Sequence, residues 1–219
     1  MPRLSDSFRS GLDMLAREYQ AALSPAARSY LAGRGLDEGA IERYRVGEVT
    51  RDSEHWKYAG MICLPYVTKR GGVVSLKFRQ AHKCVEACPH EKYITPYPTR
   101  LYNAPAMDRA DELGFIAICE GELDAITLDY HCGIPAVAVP GVKTWQQHGE
   151  WPSLFTGYQS VFMFADDDDE GRKLADRVKH DIRDAHTVTL ESGKDVNEAY
   201  VSDPKAAVAE IRRKAGLDD

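Results

Sequence analysis

The second half of the chain alternates short apolar runs with longer amphipathic stretches. Four runs of strand length lie at residues 115–119, 136–139, 161–165 and 187–190. Apolar residues at helical spacing mark the stretches 122–131, 170–185 and 204–215. This order of strands and helices predicts βαβ units, in which a parallel sheet carries helices on both faces.

The first half predicts a smaller, mixed α+β subdomain. Apolar residues recur every three or four positions over 5–24, which predicts a helix, and Ser24-Pro25 is typical of the start of a second one. The apolar runs 61–67 and 73–78 flank a glycine-ended turn and predict a β-hairpin. Pro65 favours an edge position for the first of these strands, because proline cannot donate a ladder hydrogen bond.

Charge divides the chain in a similar way. Residues 1–110 contain 17 Lys and Arg against 12 Asp and Glu, a net charge of +5, whereas residues 111–219 contain 11 against 22, a net charge of −11. We therefore predict two domains with a boundary near residue 110. A basic half beside an acidic half suits a polyanionic substrate that one grips and the other processes. Compositional scatter is the alternative explanation.

Composition also argues against some classes of protein. No apolar run approaches the roughly 18 residues of a membrane span, and no basic-then-apolar signal opens the chain. We therefore expect a cytoplasmic protein with no membrane partner. The five cysteines are odd in number and unevenly spaced, which argues against a disulfide framework.

Carboxylates stand at the ends of two predicted strands. Glu120 follows the first apolar run, and the acidic segment 166–170 follows the third. If the two strands are parallel neighbours, each like-charge pair about 4 Å apart costs roughly 4 kcal/mol at an effective dielectric near 20. Protonation, solvation or a bound divalent cation relieves such repulsion. A metal site is therefore one interpretation, and a solvated acidic loop is the other.

Three acidic segments resemble, in order and spacing, the motifs of Toprim domains, the metal-binding module of bacterial-type primases, topoisomerases and some nucleases. Residues 120–124 (EGELD) resemble the glutamate motif, 166–171 (DDDDEG) the paired-aspartate motif, and 193–198 (GKDVNE) the third acidic segment. The resemblance implies an α/β fold, a Rossmann-like Toprim sheet. It also implies one or two Mg²⁺ or Mn²⁺ ions held by carboxylate oxygens.

The same resemblance implies roles for individual residues. Glu120, Asp166 and Asp168 are the expected catalytic residues, and these three together with Asp195 are the expected metal ligands. Glu120 either binds the metal or accepts the proton of an attacking hydroxyl, and the sequence leaves both roles open. Asp167 is expected to face solvent or to lie behind the ligands.

Segments of the first half resemble the RNA polymerase domain of DnaG-like bacterial and phage primases. The similarity lies in residues 24–47, in the hairpin that ends at Arg79, and in the lysine-tyrosine segment at Lys92. By this resemblance Arg79, Lys92 and Lys77 face the nucleotide or the template, where cations would clamp phosphates. Lys143, which follows a predicted strand end, could also contact phosphate. Scattered surface cations are the alternative.

The leading hypothesis is the catalytic core of a DNA primase encoded by a phage or plasmid. Such an enzyme is a DNA-directed RNA polymerase, a nucleotidyltransferase that joins ribonucleoside triphosphates into short RNA primers on single-stranded DNA. A Toprim nuclease and a non-catalytic single-strand-binding replication accessory protein are the alternatives. The sequence has neither zinc ribbon nor helicase-binding domain, so we expect a replicative helicase or a separate zinc-ribbon module as a partner.

Two cysteines and two histidines lie within nine residues of the first half, at His82, Cys84, Cys88 and His90. Thiolates and imidazoles in this number could close a tetrahedral zinc site. The three-residue spacing between the cysteines and the lack of a second, distant ligand pair are atypical of a zinc finger. A loop with reduced cysteines is therefore favoured over zinc.

Overall fold

The computed structural model describes residues 5–81, 91–191 and 195–217. The chain divides into two units, Met1–Arg100 and Leu101–Asp219. This division falls earlier than the predicted boundary near 110. Tyr102 already forms a β-bridge with Ala138, which ties the start of the second unit to its sheet.

The first unit packs helices on an antiparallel sheet. Its helices are α1 (Asp6–Ala21), α2 (Pro25–Gly33) and α3 (Glu38–Arg43), and its strands are β1 (Gly47–Glu48), β2 (Ile62–Val67), β3 (Val73–Arg79) and β4 (Tyr93–Ile94). A short 3-10 helix, Trp56–Tyr58, precedes β2. The side chains of Ser5, Ser24 and Asp37 cap the three α-helices. Leu12 and Tyr19 of α1 pack in one buried cluster with Phe78 of β3.

The strand order in this sheet is β1-β2-β3-β4, so β2 is an interior strand. The edge position predicted from Pro65 is therefore wrong. The physical reason is that β1 pairs with β2 only at Ile62 and Cys63 and stops short of Pro65, whose missing N–H leaves no gap in that ladder. The predicted hairpin between β2 and β3 is present, and Gly71 adopts a positive φ of 86° in its turn.

The second unit is a parallel sheet flanked by helices. Its strands β5 (Phe115–Cys119), β6 (Ala136–Ala138), β7 (Ser160–Phe164) and β8 (Ala185–Val188) are ordered β6-β5-β7-β8. The helices are α4 (Ala106–Leu113), α5 (Glu122–Ile126), α6 (Gly141–Gln147), α7 (Asp169–Asp181), α8 (Val196–Ser202) and α9 (Pro204–Lys214). A π-helix, Thr127–His131, continues α5, and a 3-10 helix spans Trp151–Phe155. The predicted α/β class, a parallel sheet preceded by a mixed subdomain, is confirmed.

Buried apolar residues hold this sheet against its helices. Ile116, Ile118 and Met163 pack in one cluster with Trp145 of α6 and Leu174 of α7. The alternation of β5 places Ile116 and Ile118 on one face of the sheet, and a slip of one residue in register would turn both to the other face. Among the described helices, none is long and apolar enough to cross a bilayer.

Candidate functional site

The sheet of the second unit has a topological switch point between β5 and β7. The chain leaves β5 for β6 on one side and then crosses to β7 on the other side. In open parallel sheets such a switch point leaves a crevice outside the carboxyl ends of the two strands, where ligands bind. Glu120 directly follows β5, and Asp166 lies two residues after β7. Both carboxylates therefore stand at this crevice.

Glu120 lies in an environment that opposes its negative charge. Burial, followed by the charges of Asp166 and Asp168, raises the pKa of Glu120 to about 7, although a backbone hydrogen bond from Asp166 acts in the opposite direction. Within the described part of the chain, its Oε1 atom is buried and has no hydrogen-bond partner. A buried carboxylate oxygen without a partner is costly unless a proton or a cation joins it.

The first turn of α7 closes tightly against Glu120 and Asp166. The Asp168 side chain caps this helix, since its Oδ1 accepts a hydrogen bond of 2.8 Å from the Gly171 backbone N–H. A Cβ atom added to Gly171 would lie 2.3 Å from the Asp166 carbonyl oxygen and 2.7 Å from Glu120 Oε1. Gly171 is therefore required by this close approach, and its backbone forms one wall of the crevice.

We expect Gly171→Ala to damage this wall. The added methyl group must push the Asp166 backbone or the Glu120 carboxylate aside, and such overpacking costs about 1–3 kcal/mol. Thermal denaturation and Mg²⁺ titration should both detect the change. Gly149→Ala is the matched control, because a Cβ there meets nothing within 4 Å. Equal behaviour of the two variants would contradict the packing described here.

The third acidic segment is tied to α5 by buried polar contacts. The Asn197 backbone N–H donates to Asp124 Oδ1 at 2.8 Å, and its side-chain amide donates to Thr127 Oγ1 at 3.0 Å. Asp195 caps α8 by accepting a 2.6 Å hydrogen bond from the Glu198 backbone N–H. Asp195 thus has a structural partner, and its role as a metal ligand stays a prediction. Asp124 positions α8 against α5.

The donor set fits a hard divalent cation in its chemistry. Carboxylate oxygens are the ligands that Mg²⁺ prefers, and Glu120 Oε1 lacks a partner within the described residues. No group of three or more His, Cys, Asp or Glu side chains in those residues is already placed to hold an ion. Glu120, Asp166 and Asp168 therefore gather at one crevice without forming a completed ligand set. The four residues of the possible zinc site, His82, Cys84, Cys88 and His90, lie outside the described residues.

A second group of predicted residues comes together in the first unit, around the ring of Tyr93. Lys77 Nζ lies 4.4 Å from the ring centroid, Lys92 Nζ 5.2 Å and Arg79 Cζ 5.3 Å. Lys77 and Arg79 are buried and share one face of β3, whereas Lys92 is exposed. Three cations on one aromatic ring form a positive centre suited to phosphate groups. We call these three residues and Tyr93 the basic cluster.

Two tyrosines fix the orientation of Arg79, and neither was predicted as a site residue. The Arg79 Nε donates to Tyr30 Oη at 2.9 Å, and one terminal guanidinium nitrogen donates to Tyr93 Oη at 2.8 Å. Tyr93 directly follows Lys92, so the lysine-tyrosine pair was the available signal. Lys143 belongs to the second unit, where it is exposed in the first turn of α6.

Comparison with known proteins identifies the relatives of this chain. Residues 117–200 match the Toprim-like family. The Gene 57 protein of Mycobacterium phage D29 is 33% identical over 157 residues, which cover 70% of this chain and 98% of that protein. The chain belongs to the Toprim-like family. The family predicted from the three acidic segments is thereby confirmed, and the phage relative agrees with the predicted phage origin.

Solved structures show that this Toprim protein has the fold of a primase catalytic core. The zinc-binding and RNA polymerase domains of the Aquifex aeolicus primase superpose with a TM-score of 0.77 at 19% identity, covering 97% of this chain and 61% of that one. The E. coli primase catalytic core gives 0.72 at 21% identity, covering 94% and 79%. A DnaG primase catalytic domain bound to single-stranded DNA gives 0.70 at 21% identity, covering 95% and 80%. The chain thus spans about three fifths of the Aquifex chain in that structure.

Proposed function

We propose that this chain is the catalytic core of a DNA primase, a nucleotidyltransferase that makes RNA primers on single-stranded DNA. The observation that carries the proposal is the placement of Glu120 and Asp166 at the switch point of the Toprim sheet. Toprim modules serve several chemistries, so the first unit supplies the narrower argument. The similarity to primase cores extends over both units, since it covers 94–97% of the chain in the three structures compared above.

Glu120, Asp166 and Asp168 are the proposed ligands of Mg²⁺ or Mn²⁺, with Asp195 as a further candidate. When bound, such an ion would neutralise charge on the phosphoryl group during its transfer. Glu120 either binds the ion or accepts the proton of the 3′-hydroxyl group that attacks. Asp168 also holds the first turn of α7 in place, because its side chain accepts a hydrogen bond from the Gly171 backbone N–H. It therefore helps to shape the crevice and also contributes a negative charge to it.

The basic cluster is the proposed contact to triphosphate or template phosphates. Tyr30 and Tyr93 hold the Arg79 guanidinium in one orientation, which reduces the entropy lost when it binds a phosphate. Lys77 and Lys92 add two further positive charges beside it. Lys143 is a further candidate for a phosphate contact in the second unit. A replicative helicase or a separate zinc-ribbon module remains the proposed partner.

A primer-synthesis assay tests this function. The protein is incubated with a single-stranded DNA template, labelled ribonucleoside triphosphates and Mg²⁺ or Mn²⁺, and the products are separated by length. We expect short RNA chains that require template, all needed nucleotides and metal. Degradation of the template without RNA synthesis would point to a Toprim nuclease. Binding of the template with neither reaction would point to an accessory protein.

A further inference from the structure

An exposed tryptophan stands on the 3-10 helix that precedes β2. Trp56 is 59% exposed, whereas Trp145 and Trp151, the other two tryptophans of the chain, are only 1% and 4% exposed. A single exposed apolar residue is ordinary by itself. Trp56 differs from an ordinary exposed residue in two ways. Its neighbours in the turn are anchored in the core, and a lysine lies beside its ring.

Buried contacts on both sides of Trp56 hold it in an outward position. His55 is buried, with Nδ1 2.8 Å from Tyr19 Oη and Nε2 3.0 Å from Tyr97 Oη. On the other side, the Tyr58 ring lies 5.8 Å from the ring of Phe78 in the sheet. Residues 55 and 58 are thus both anchored in the core, and the indole between them faces outward. Trp56 is therefore presented to solvent by a rigid frame.

The chemistry around the indole suits single-stranded nucleic acid. Lys57 Nζ lies 5.7 Å from the centroid of the Trp56 ring. Single-strand binders combine aromatic faces, on which bases stack, with cations that follow the phosphate backbone. Residues 1–100 supply a favourable field, since they hold 16 Lys and Arg against 11 Asp and Glu, a net charge of +5.

The topology connects this turn to the end of the hairpin at which Arg79 of the basic cluster lies. The 3-10 helix leads into β2, and Ile62, the first residue of that strand, pairs with Arg79 at the end of β3. Tyr93, at the start of β4, pairs with Arg79 in turn. A strand of DNA that reaches Arg79 thus meets the end of the sheet from which the Trp56 turn emerges.

We propose that Trp56 and Lys57 form a platform on which one base of single-stranded DNA stacks. The indole supplies the face, and Lys57 supplies a charge for the adjoining phosphate. The inference rests on the proposed function in that a primase template is single-stranded DNA. It adds a contact outside the carboxylate crevice and the basic cluster.

Intrinsic fluorescence can follow this platform directly, because the two other tryptophans are buried. The protein is titrated with a 16-nucleotide oligothymidylate while tryptophan emission is recorded, and anisotropy of a labelled copy of the same oligonucleotide reports binding independently. We expect quenching on binding, loss of most of that quenching in Trp56→Phe, and about tenfold weaker binding in Trp56→Ala. Trp56→Phe should bind within about threefold of the wild type, since phenylalanine keeps a ring for stacking.

Two further variants distinguish the contribution of the Lys57 charge to binding from that of base stacking, and both from general effects of changing an exposed residue. Lys57→Ala should weaken binding at low salt and reduce the slope of log affinity against log salt by about 0.7, the value for one phosphate contact to a single strand. Met14→Ala is the control, because Met14 is a 67% exposed apolar residue of the same unit and should bind as the wild type does.

The outcomes distinguish failure of the platform from failure of the primase proposal. Unchanged emission on binding, together with wild-type affinity in Trp56→Ala, would overturn the platform even if primers are made. Absence of any binding to the oligonucleotide would overturn it as well. Quenching and weakened binding in Trp56→Ala, in a protein that makes no primers, would support the platform and leave the polymerase role contradicted.

Discussion

Replacing Asp166 with asparagine should reduce template-directed RNA synthesis at least about 100-fold while leaving the fold intact. Asp166 follows β7 at the switch point, and its charge is one of those that act on Glu120 across the crevice. Removing one preorganised charged or polar contact to a reacting group typically costs 10²–10³ in rate. The measurement is the initial rate of primer synthesis at saturating metal, with thermal denaturation as the test of folding.

Asp167→Asn is the matched control for this prediction. Asp167 neighbours Asp166 in sequence, but its side chain is 61% exposed and pairs with Arg172 at 3.0 Å. Exposed ion pairs contribute about 0–1 kcal/mol to stability, so we expect activity and melting temperature close to those of the wild type. Wild-type activity in Asp166→Asn, or an equal loss in both variants, would contradict the assignment of Asp166.

Glu120→Gln should have opposite effects on activity and on stability. Activity should be lost, because an amide neither holds Mg²⁺ as a carboxylate does nor accepts a proton from a hydroxyl. Stability of the metal-free protein should rise at neutral pH, because burial and the neighbouring Asp166 and Asp168 oppose the charge of Glu120. A substitution that stabilises the fold and abolishes activity is typical of a functional site.

The pH dependence of this stabilisation follows from the raised pKa of Glu120. The pKa is about 7 in the folded protein against 4.5 as the ordinary value, so the folded state binds the proton more tightly. The stability that this bound proton contributes is therefore fully present below about pH 4.5, and it is lost as the pH rises through about 7. Allowing for solvent screening at this partly buried site, we expect Glu120→Gln to gain about 1–2 kcal/mol at pH 8 and little at pH 4.5.

Thermal denaturation in EDTA at the two pH values measures this difference. Added Mg²⁺ should then raise the melting temperature of the wild type more than that of Glu120→Gln, because a ligand stabilises only the state that binds it. Glu112→Gln, at an exposed position of α4, is the control and should show neither effect. A loss of stability in Glu120→Gln at both pH values would mean that Glu120 has a structural role instead.

The carboxylates of the crevice could be placed from the sequence because the end of a buried strand is marked by a local pattern. A strand buried on both faces reads as a continuous apolar run, so the residue that ends the run marks the carboxyl edge of the sheet. This is how Glu120 and Asp166 could be placed before the strand order was known. The helices α6 and α8 were not predicted, because each has only seven residues and carries too few apolar positions to establish a period.

Contacts between distant segments could not be predicted in this way. Tyr30 is 49 positions from Arg79, and only the packing of α2 near the end of β3 brings them together. Gly171 abuts Glu120 because β5 and β7 are neighbours, a fact of strand order that no local pattern contains. The interior position of β2 depends likewise on where β1 stops along it.

A crystal structure grown with Mn²⁺ and measured at its anomalous edge is the most direct test of the metal centre. We expect an anomalous peak outside the carboxyl ends of β5 and β7, with oxygen atoms of Glu120 and Asp166 about 2–2.5 Å away. The peak should vanish in Asp166→Asn and persist in Asp167→Asn. No peak in the crevice at millimolar Mn²⁺, or ions bound only elsewhere, would contradict the claim that these carboxylates form the catalytic metal site.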